Sequence, residues 1–347
     1  MKLGAIRRLR RAVRRVRNRF VARGLILLYH RIAVLPSDPH ILCVTPEHFA
    51  QHLEVLRKRY HVVPLKYLAQ ALLDGNLPRR AVAVTFDDGY ADNLYNAKPL
   101  LERYDIPATV FVTTGQIDQE REFWWDELER LLLQPGELPQ TLQLRVNGSP
   151  RRWQLTGAAH YDEQTYRLHR SWNVERSGPG PRQRLFCDLY QMLYALPPRE
   201  QQHVLDQLWQ WTGVGRISRP THRTLASDEL VDLADGRLVE VGAHTVTHSV
   251  LSAISGAAQR DEIQGSKAHL ENVLGHPVTS FAYPYGLRST YTNETVAAVR
   301  EASFACACSN FVSLVSGDTD RFQLPRFAVQ DWDGNMFACL LGEWLGE

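Results

Sequence analysis

The sequence predicts an α/β protein built on a mostly parallel sheet or barrel and interrupted once by a mainly helical insertion. Short apolar runs alternate with amphipathic stretches along most of the chain, the pattern of parallel strands joined by crossover helices. A length of 347 residues suits one large domain carrying an insertion as well as it suits two domains. With 44% hydrophobic and 22% charged residues and a mean hydropathy of -0.30, the chain can bury a sizeable core and is too apolar to be disordered.

Residues 1 to 23 differ from everything after them. They hold ten cations, Lys2 and nine arginines from Arg7 to Arg23, and no acid, so the net charge of +2 leaves -8 for the rest of the chain. Ile6, Leu9, Val13, Val16 and Phe20 recur at spacings of three and four, one stripe of a basic amphipathic helix. This segment lacks the continuous apolar run of a secretory signal and is expected to stay on the mature protein. Its expected partner is an anionic membrane surface, with a packing helix or a solvated tail as the alternative; nucleic acid is not expected, because the acidic body would repel phosphate and no recognition motif follows. No stretch approaches the roughly 18 apolar residues of a spanning helix. Five cysteines with no CxxC pair suggest neither a disulfide framework nor a thiolate zinc site, and a reducing compartment is expected. The expected location is therefore cytoplasmic, either free or peripheral on the inner membrane face.

From there the elements follow in order. Leu25 to Tyr29 reads as a strand; Thr45-Pro46-Glu47 opens a helix with a capping hydroxyl and a proline in its first turn. Val62 and Val63 mark a short strand, and a helix near Lys66 to Leu73 stops at Asp74-Gly75. Ala81 to Phe86 is a buried strand running into Asp87-Asp88-Gly89, followed by a helix from about Asp92 to Tyr104 and the strand Ala108 to Val112. The rhythm breaks between residues 117 and 224, where Phe123 to Glu127 opens a helix, Asn147-Gly148 signals a hairpin, and two or three helices follow. Ser227 is expected to cap the helix that resumes the main fold. Strands at Leu238 to Val241, Thr279 to Tyr283 and Ser303 to Cys308, with helices near Ala257 to Leu274 and Thr292 to Glu301, complete it. The expected organisation is a tail (1–23), a first barrel part (24–116), an insertion (117–224) and a second barrel part (225–347).

In α/β sheets functional groups gather at the carboxyl ends of strands. Asp87-Asp88 and His244-Thr245-Val246-Thr247-His248 both fall there. Two imidazoles four apart plus a carboxylate from another strand end make a two-nitrogen, one-oxygen set suited to Zn2+ or another divalent transition metal, with positions left for water and substrate.

Thr85-Phe86-Asp87-Asp88-Gly89-Tyr90, the His244 to His248 motif and Phe281-Ala282-Tyr283-Pro284-Tyr285-Gly286 resemble, in that order, the first three motifs of the polysaccharide deacetylases (NodB homology, carbohydrate esterase family 4). The resemblance runs over roughly Leu25 to Val112 and Leu225 to Trp332. It implies a distorted (β/α)7-type barrel and hydrolysis of an N-acetyl group on an amino sugar. Asp87 then matches the catalytic base, Asp88, His244 and His248 the metal ligands, and Tyr285 the residue whose backbone N–H helps hold the oxyanion. Tyr90 is taken as a substrate contact.

Departures from the family pattern define further candidates. Ala282 stands where the third motif usually carries an arginine; Arg326, in Leu324-Pro325-Arg326-Phe327, is the candidate substitute, with an ordinary surface arginine as its alternative. Asp331-Trp332 resembles the fourth motif, and Trp332 is either a groove wall for a sugar ring or a core residue. No histidine follows His276, so the general acid of the fifth motif is missing; His30, at the end of the first strand, is the candidate acid or substrate contact. The resulting reading is a metal-dependent carbohydrate N-deacetylase acting on a surface glycan or its lipid-linked precursor. Its rivals are a deacetylase or deformylase of a soluble amino sugar or aminoglycoside-like metabolite, and a glycan-binding pseudoenzyme.

The tail makes one prediction. Each cation near an anionic bilayer contributes about 1 kcal/mol, so the full-length protein should co-sediment with anionic but not neutral liposomes, and raised salt should weaken the association. Deleting residues 1 to 23 should abolish it; equal sedimentation of both forms would remove the membrane reading.

Overall fold

The computed structural model describes residues 23–176, 180–216 and 218–346. The basic amphipathic helix expected over residues 1–23 thus falls almost wholly outside the described residues. Gly24–Tyr29 (β1), His61–Val62 (β2), Ala81–Phe86 (β3), Ala108–Val112 (β4), Val239–Ala243 (β5), Ser280–Ala282 (β6), Cys306–Cys308 (β7) and Phe327–Ala328 (β8) form one sheet. Every pair in it is parallel, in the order β7-β6-β5-β4-β3-β1-β8, with β2 beside the first residues of β3. Leu324 pairs with Cys308 just before β8 reaches β1, so the segment 324–328 joins the two ends of the sheet. The result is a distorted barrel with seven strands along its path and helices around it, the (β/α)7-type fold the sequence implies.

The strands are apolar on both faces because both faces are covered. Leu25, Leu27, Tyr29, Val82, Val84, Phe86, Val110 and Val112 point outward onto helices through Phe49, Leu53, Leu56, Ile263 and Val299. The alternate residues Ile26, Ala83, Phe111, Ala282 and Cys308 fill the interior with Leu324. Phe111 dominates that interior, and Gly242 makes room for it: a Cβ at Gly242 would lie 2.5 Å from Phe111 Cδ1 and 2.7 Å from Ser280 Oγ.

Residues after Gln116 leave the barrel and build their own core. Helix Trp124–Leu132 packs against helices Pro181–Tyr194 and Pro198–Thr212, and the latter against a hairpin, Thr141–Val146 with Ser149–Gln154, whose Leu142, Leu144 and Val146 face inward. Asn147 and Gly148 turn that hairpin with φ of 49° and 75°. The chain returns beside the point where β3 ends, with Leu225 N–H donating to Gly89 O (3.0 Å) and Ala91 N–H to Arg223 O (3.1 Å). No helix among the described residues is long and apolar enough to cross a membrane.

Three local expectations differ. Ser227 is the first residue of helix Ser227–Ala234 and not its cap; its hydroxyl donates to Asp118 (2.5 Å), while Glu229 accepts from the Ala226 N–H (2.9 Å). The helix expected from Asp92 begins with a π-helical turn at Asn93–Ala97 before Lys98–Tyr104, and Asn93 Nδ2 donates to His30 O (2.9 Å) from that turn. β7 starts only at Cys306, because Ser303 turns the chain with a φ of 62°.

The barrel interior makes a packing prediction. Gly242→Ala should destabilise the protein by about 1–3 kcal/mol, the usual cost of overpacking, measured by chemical denaturation. Adding Phe111→Leu should recover part of that loss; a neutral Gly242→Ala would show that Phe111 has room to move.

Candidate metal centre and catalytic pocket

The three strand-end motifs meet at one end of the barrel, and each turns on left-handed backbone. Positive φ occurs at Asp88 (75°), Thr245 (65°), His248 (57°) and Tyr285 (60°), none of them glycine. Such conformations are costly and persist where the surroundings impose them, commonly at functional sites. For the His244 to His248 loop the cause is visible. Glu262, from helix Gly256–Leu274, accepts from the N–H groups of Val246 (2.9 Å) and Thr247 (2.8 Å) and from the Thr247 hydroxyl (2.6 Å), while Gly115 N–H donates to Val246 O (2.7 Å).

Asp88, His244 and His248 are brought together: one possible ligand atom from each lies within 4.8 Å of the others, and all three residues are buried. Nε2 of His244 is 3.6 Å and Nε2 of His248 3.3 Å from Asp88 Oδ1. His244 Nδ1 is 2.8 Å from Ala282 O, which can only accept, so the proton sits on Nδ1 and the Nε2 lone pair faces Asp88. Burial, against the pull of Asp87, lowers the His244 pKa to about 4, keeping the ring neutral as a ligand must be. Burial pushes the Asp88 carboxyl up, yet the His248 ring beside it more than offsets this and holds it at about 2. Asp88 Oδ1 is nonetheless buried with no hydrogen-bond partner. A buried anionic oxygen left unpartnered between two ring nitrogens fits a divalent cation, and the two-nitrogen, one-oxygen donor set suits zinc or a similar metal.

Asp87 is held apart from that triad by a different partner. Arg326 Nη1 donates to Asp87 Oδ1 and Nη2 to Oδ2, each at 2.7 Å, and Arg326 Nε donates to Ser309 O (2.8 Å). Arg326 is 0% exposed, so it is no surface arginine, and its guanidinium lies 5.7 Å from the Phe111 ring. Burial pushes the Asp87 carboxyl up, but Arg326, with His244 behind it, more than offsets this and keeps it below its ordinary range.

A cavity of about 430 Å³ opens above these groups and is lined by His30, Asp87, Asp88, His244, His248 and Tyr285. The Tyr285 ring meets His248 edge-on at 4.7 Å. Its other wall was not foreseen in the sequence: Trp125, Tyr190, Tyr194 and Glu175 come from the insertion, and His40 from the loop after β1. The only hint was the four-residue spacing of Tyr190 and Tyr194, which puts both on one helix face.

Two expected substrate contacts are placed elsewhere. Tyr90 is 0% exposed; its hydroxyl donates to Asp126 (2.7 Å) and accepts from Trp125 Nε1 (2.9 Å), and Arg31 covers its ring at 4.2 Å. It therefore ties the barrel to the insertion core. Trp332 packs beside Trp344 and against the barrel core, its carbonyl accepting from His52 Nε2 (2.7 Å). Helix Gly334–Leu345 docks on helix Pro46–Arg59 and draws Trp332 with it, away from the cavity lining.

A parallel barrel with a buried Asp, His, His triad beside an arginine-paired carboxylate is the architecture of a carbohydrate esterase type of site. The chain belongs to the polysaccharide deacetylase family, whose sequence model matches residues 74–138 and 212–307 and passes over the middle of the insertion. YxkH of Bacillus subtilis is 30% identical over 108 residues, which is 30% of this chain and 37% of that one. The poly-beta-1,6-N-acetyl-D-glucosamine N-deacetylase of Staphylococcus aureus is 44% identical over 46 residues, 13% of this chain and 16% of that one. The matches thus span well under half the length of these relatives. Among solved structures, the Streptococcus pyogenes deacetylase PplD in complex with acetate superposes with a TM-score of 0.57 at 18% identity, covering 94% of this chain and 99% of that one. IcaB from Ammonifex degensii gives 0.54 at 18% identity, covering 94% and 98%. At such identities the likeness is one of fold.

The geometry predicts one divalent ion per chain, measurable by mass spectrometry of the purified protein. His244→Ala with His248→Ala should remove it, since three protein ligands are what a stable site of this kind needs. Undiminished occupancy in that double variant would falsify the ligand assignment.

Proposed function

We propose that the protein is a metal-dependent N-deacetylase that removes acetyl groups from amino sugars of a surface glycan or its lipid-linked precursor. The observation that carries this reading is the coexistence, in one cavity, of a ligand triad and a separate carboxylate kept ionised by Arg326. A glycan-binding protein without chemistry has no need of the second.

Asp88, His244 and His248 would hold the ion, which supplies Lewis acidity to a water and to the acetyl carbonyl. Asp87 takes a proton from the attacking water; Arg326 occupies one lone-pair direction on each of its oxygens and leaves others free. The water oxygen bonds to the acetyl carbon, the carbon–nitrogen bond breaks, and the nitrogen receives a proton, giving acetate and a free amine. His30, whose carbonyl is fixed by Asn93 at the cavity edge, is the proposed donor of that proton. The Tyr285 N–H, for which no acceptor is found among the described hydrogen bonds, is the proposed oxyanion donor. The ten cations of residues 1–23 support attachment at the cytoplasmic membrane face, where a lipid-linked precursor would lie.

Acetate release from N-acetylated glucosamine oligomers tests the reading. Asp87→Asn should keep the metal and lower turnover by roughly 100-fold or more, the scale of a lost general base. Loss of metal in Asp87→Asn but not in Asp88→Asn would reverse the two roles. For His30→Ala, turnover should fall far more on an amide than on an activated acetate ester, whose leaving group needs no proton. Equal losses would make His30 a positioning group.

A further inference from the structure

We propose that the end of the barrel opposite the cavity carries a second membrane contact, so that the protein rests on an anionic lipid surface with its cavity facing away from the bilayer. This deepens the proposed attachment through residues 1–23 and rests on it, while leaving the chemistry of the cavity aside. The argument starts from where charge lies on an acidic body. Residues 57–80 hold Arg57, Lys58, Arg59, Lys66, Arg79 and Arg80 against one acid, Asp74, a net +5; since residues 24–347 together carry -8, the remainder carries -13. All six cations are exposed, and Lys58 pairs with Glu54, one turn back on its helix. The fold gathers them around the start of three adjacent strands. Gly24 of β1 and His61 of β2 both pair with Ala81 of β3, one on each side. The Arg80 carbonyl accepts from the His61 N–H (3.0 Å), and Arg80 Nη1 donates to the Arg59 carbonyl (3.4 Å). Arg57, Lys58 and Arg59 form the last turn of helix Pro46–Arg59, which ends here. Residues 1–23 join the barrel at Gly24, so the segment with ten cations enters the fold beside these six.

The patch is not only charged. Helix Leu65–Leu73 packs beside β3 and presents Tyr67, 48% exposed, and Leu73, 54% exposed. With Lys66, Arg321 and Glu240 they line an open cavity of about 400 Å³. Nucleic acid offers phosphate but nothing to cover an exposed leucine. A phospholipid offers an anionic headgroup and an acyl chain together, so cations flanking apolar side chains fit a lipid surface. Strands β1 and β3, six residues each, separate this end from the metal centre by about 20 Å, at roughly 3.3 Å per residue. The acetamide in the cavity therefore lies about that far from the lipid. Tethered by residues 1–23, the body needs only the patch to choose the face on which it rests.

The test uses the full-length protein with vesicles of phosphatidylcholine and phosphatidylglycerol. Arg57→Glu with Arg79→Glu should lower the partition coefficient about tenfold or more. Arg151→Glu with Arg152→Glu, the same change of charge on the exposed hairpin of the insertion, should lower it far less. Tyr67→Ala with Leu73→Ala should reduce the binding that persists at raised salt. Thermal unfolding of each variant checks that the fold is kept. Hydrogen exchange on the vesicles should slow at residues 57–80 and stay unchanged at the cavity-lining residues 285–287. No vesicle binding by the unaltered protein would overturn this face together with attachment through residues 1–23. Equal losses in the two charge variants, or slowed exchange at the cavity instead, would overturn this face alone. Tighter binding of a DNA duplex through the same residues would assign the patch to nucleic acid and overturn the lipid reading.

Discussion

The buried pair between Asp87 and Arg326 is the contact on which both the barrel and the site depend. Arg326 belongs to the segment that joins β7 to β1, and Asp87 follows β3, so one bidentate contact fastens the closing seam of the barrel to the centre of its mouth. Neither partner could stand alone: a guanidinium with no exposure, or a carboxylate buried beside Asp88, would each face a large desolvation cost. Together they are satisfied, with Arg326 further anchored to Ser309 O and seated over Phe111. Gly242 in turn gives Phe111 its place, which links the smallest residue of the interior to the ionisation of the carboxylate above it.

The insertion is joined to this centre by a second chain of contacts. Asp126 and Trp125 meet on the Tyr90 hydroxyl, Arg31 lies over the Tyr90 ring and pairs with Asp92, and the Trp125 ring reaches His248 at 4.9 Å. Burial pushes the Asp126 carboxyl up to about 7, with Arg31 pulling the other way. Arg219 gathers Glu122 and Glu129 behind it. The aromatic wall of the cavity therefore rests on a polar cluster whose members come from both parts of the chain.

Much of the centre was legible because it obeys short-range rules. Strands ending at Phe86 and Ala243 put Asp87, Asp88, His244 and His248 at the same sheet edge, and a ligand set needs little more than that. Arg326 was legible only as a missing charge, since Ala282 left a requirement unmet. Tyr90 was misjudged and Trp332 left open between groove and core for one shared reason: an aromatic beside a motif has the same sequence signature whether it faces a cavity or a core, and here hydrogen bonds to Asp126 and helix docking at Gly334–Leu345 decided the matter. The wall of Tyr190, Tyr194 and His40 was not readable, because helical periodicity says which face is shared but not which neighbour that face meets. Glu262, which clamps the His244 to His248 loop, looks in sequence like any exposed helix acid.

The separation of Asp87 from Arg326, 239 positions along the chain, also sets an order of events during synthesis. At about 5–20 residues per second, Asp87, Asp88, His244 and His248 emerge well before the arginine that pairs with Asp87. Until then the barrel has an open seam and an uncompensated carboxylate at its mouth, a state that favours protonation or solvent exposure over a dry site. The buried pair, and with it the closed seam, thus forms only once nearly the whole chain has been made.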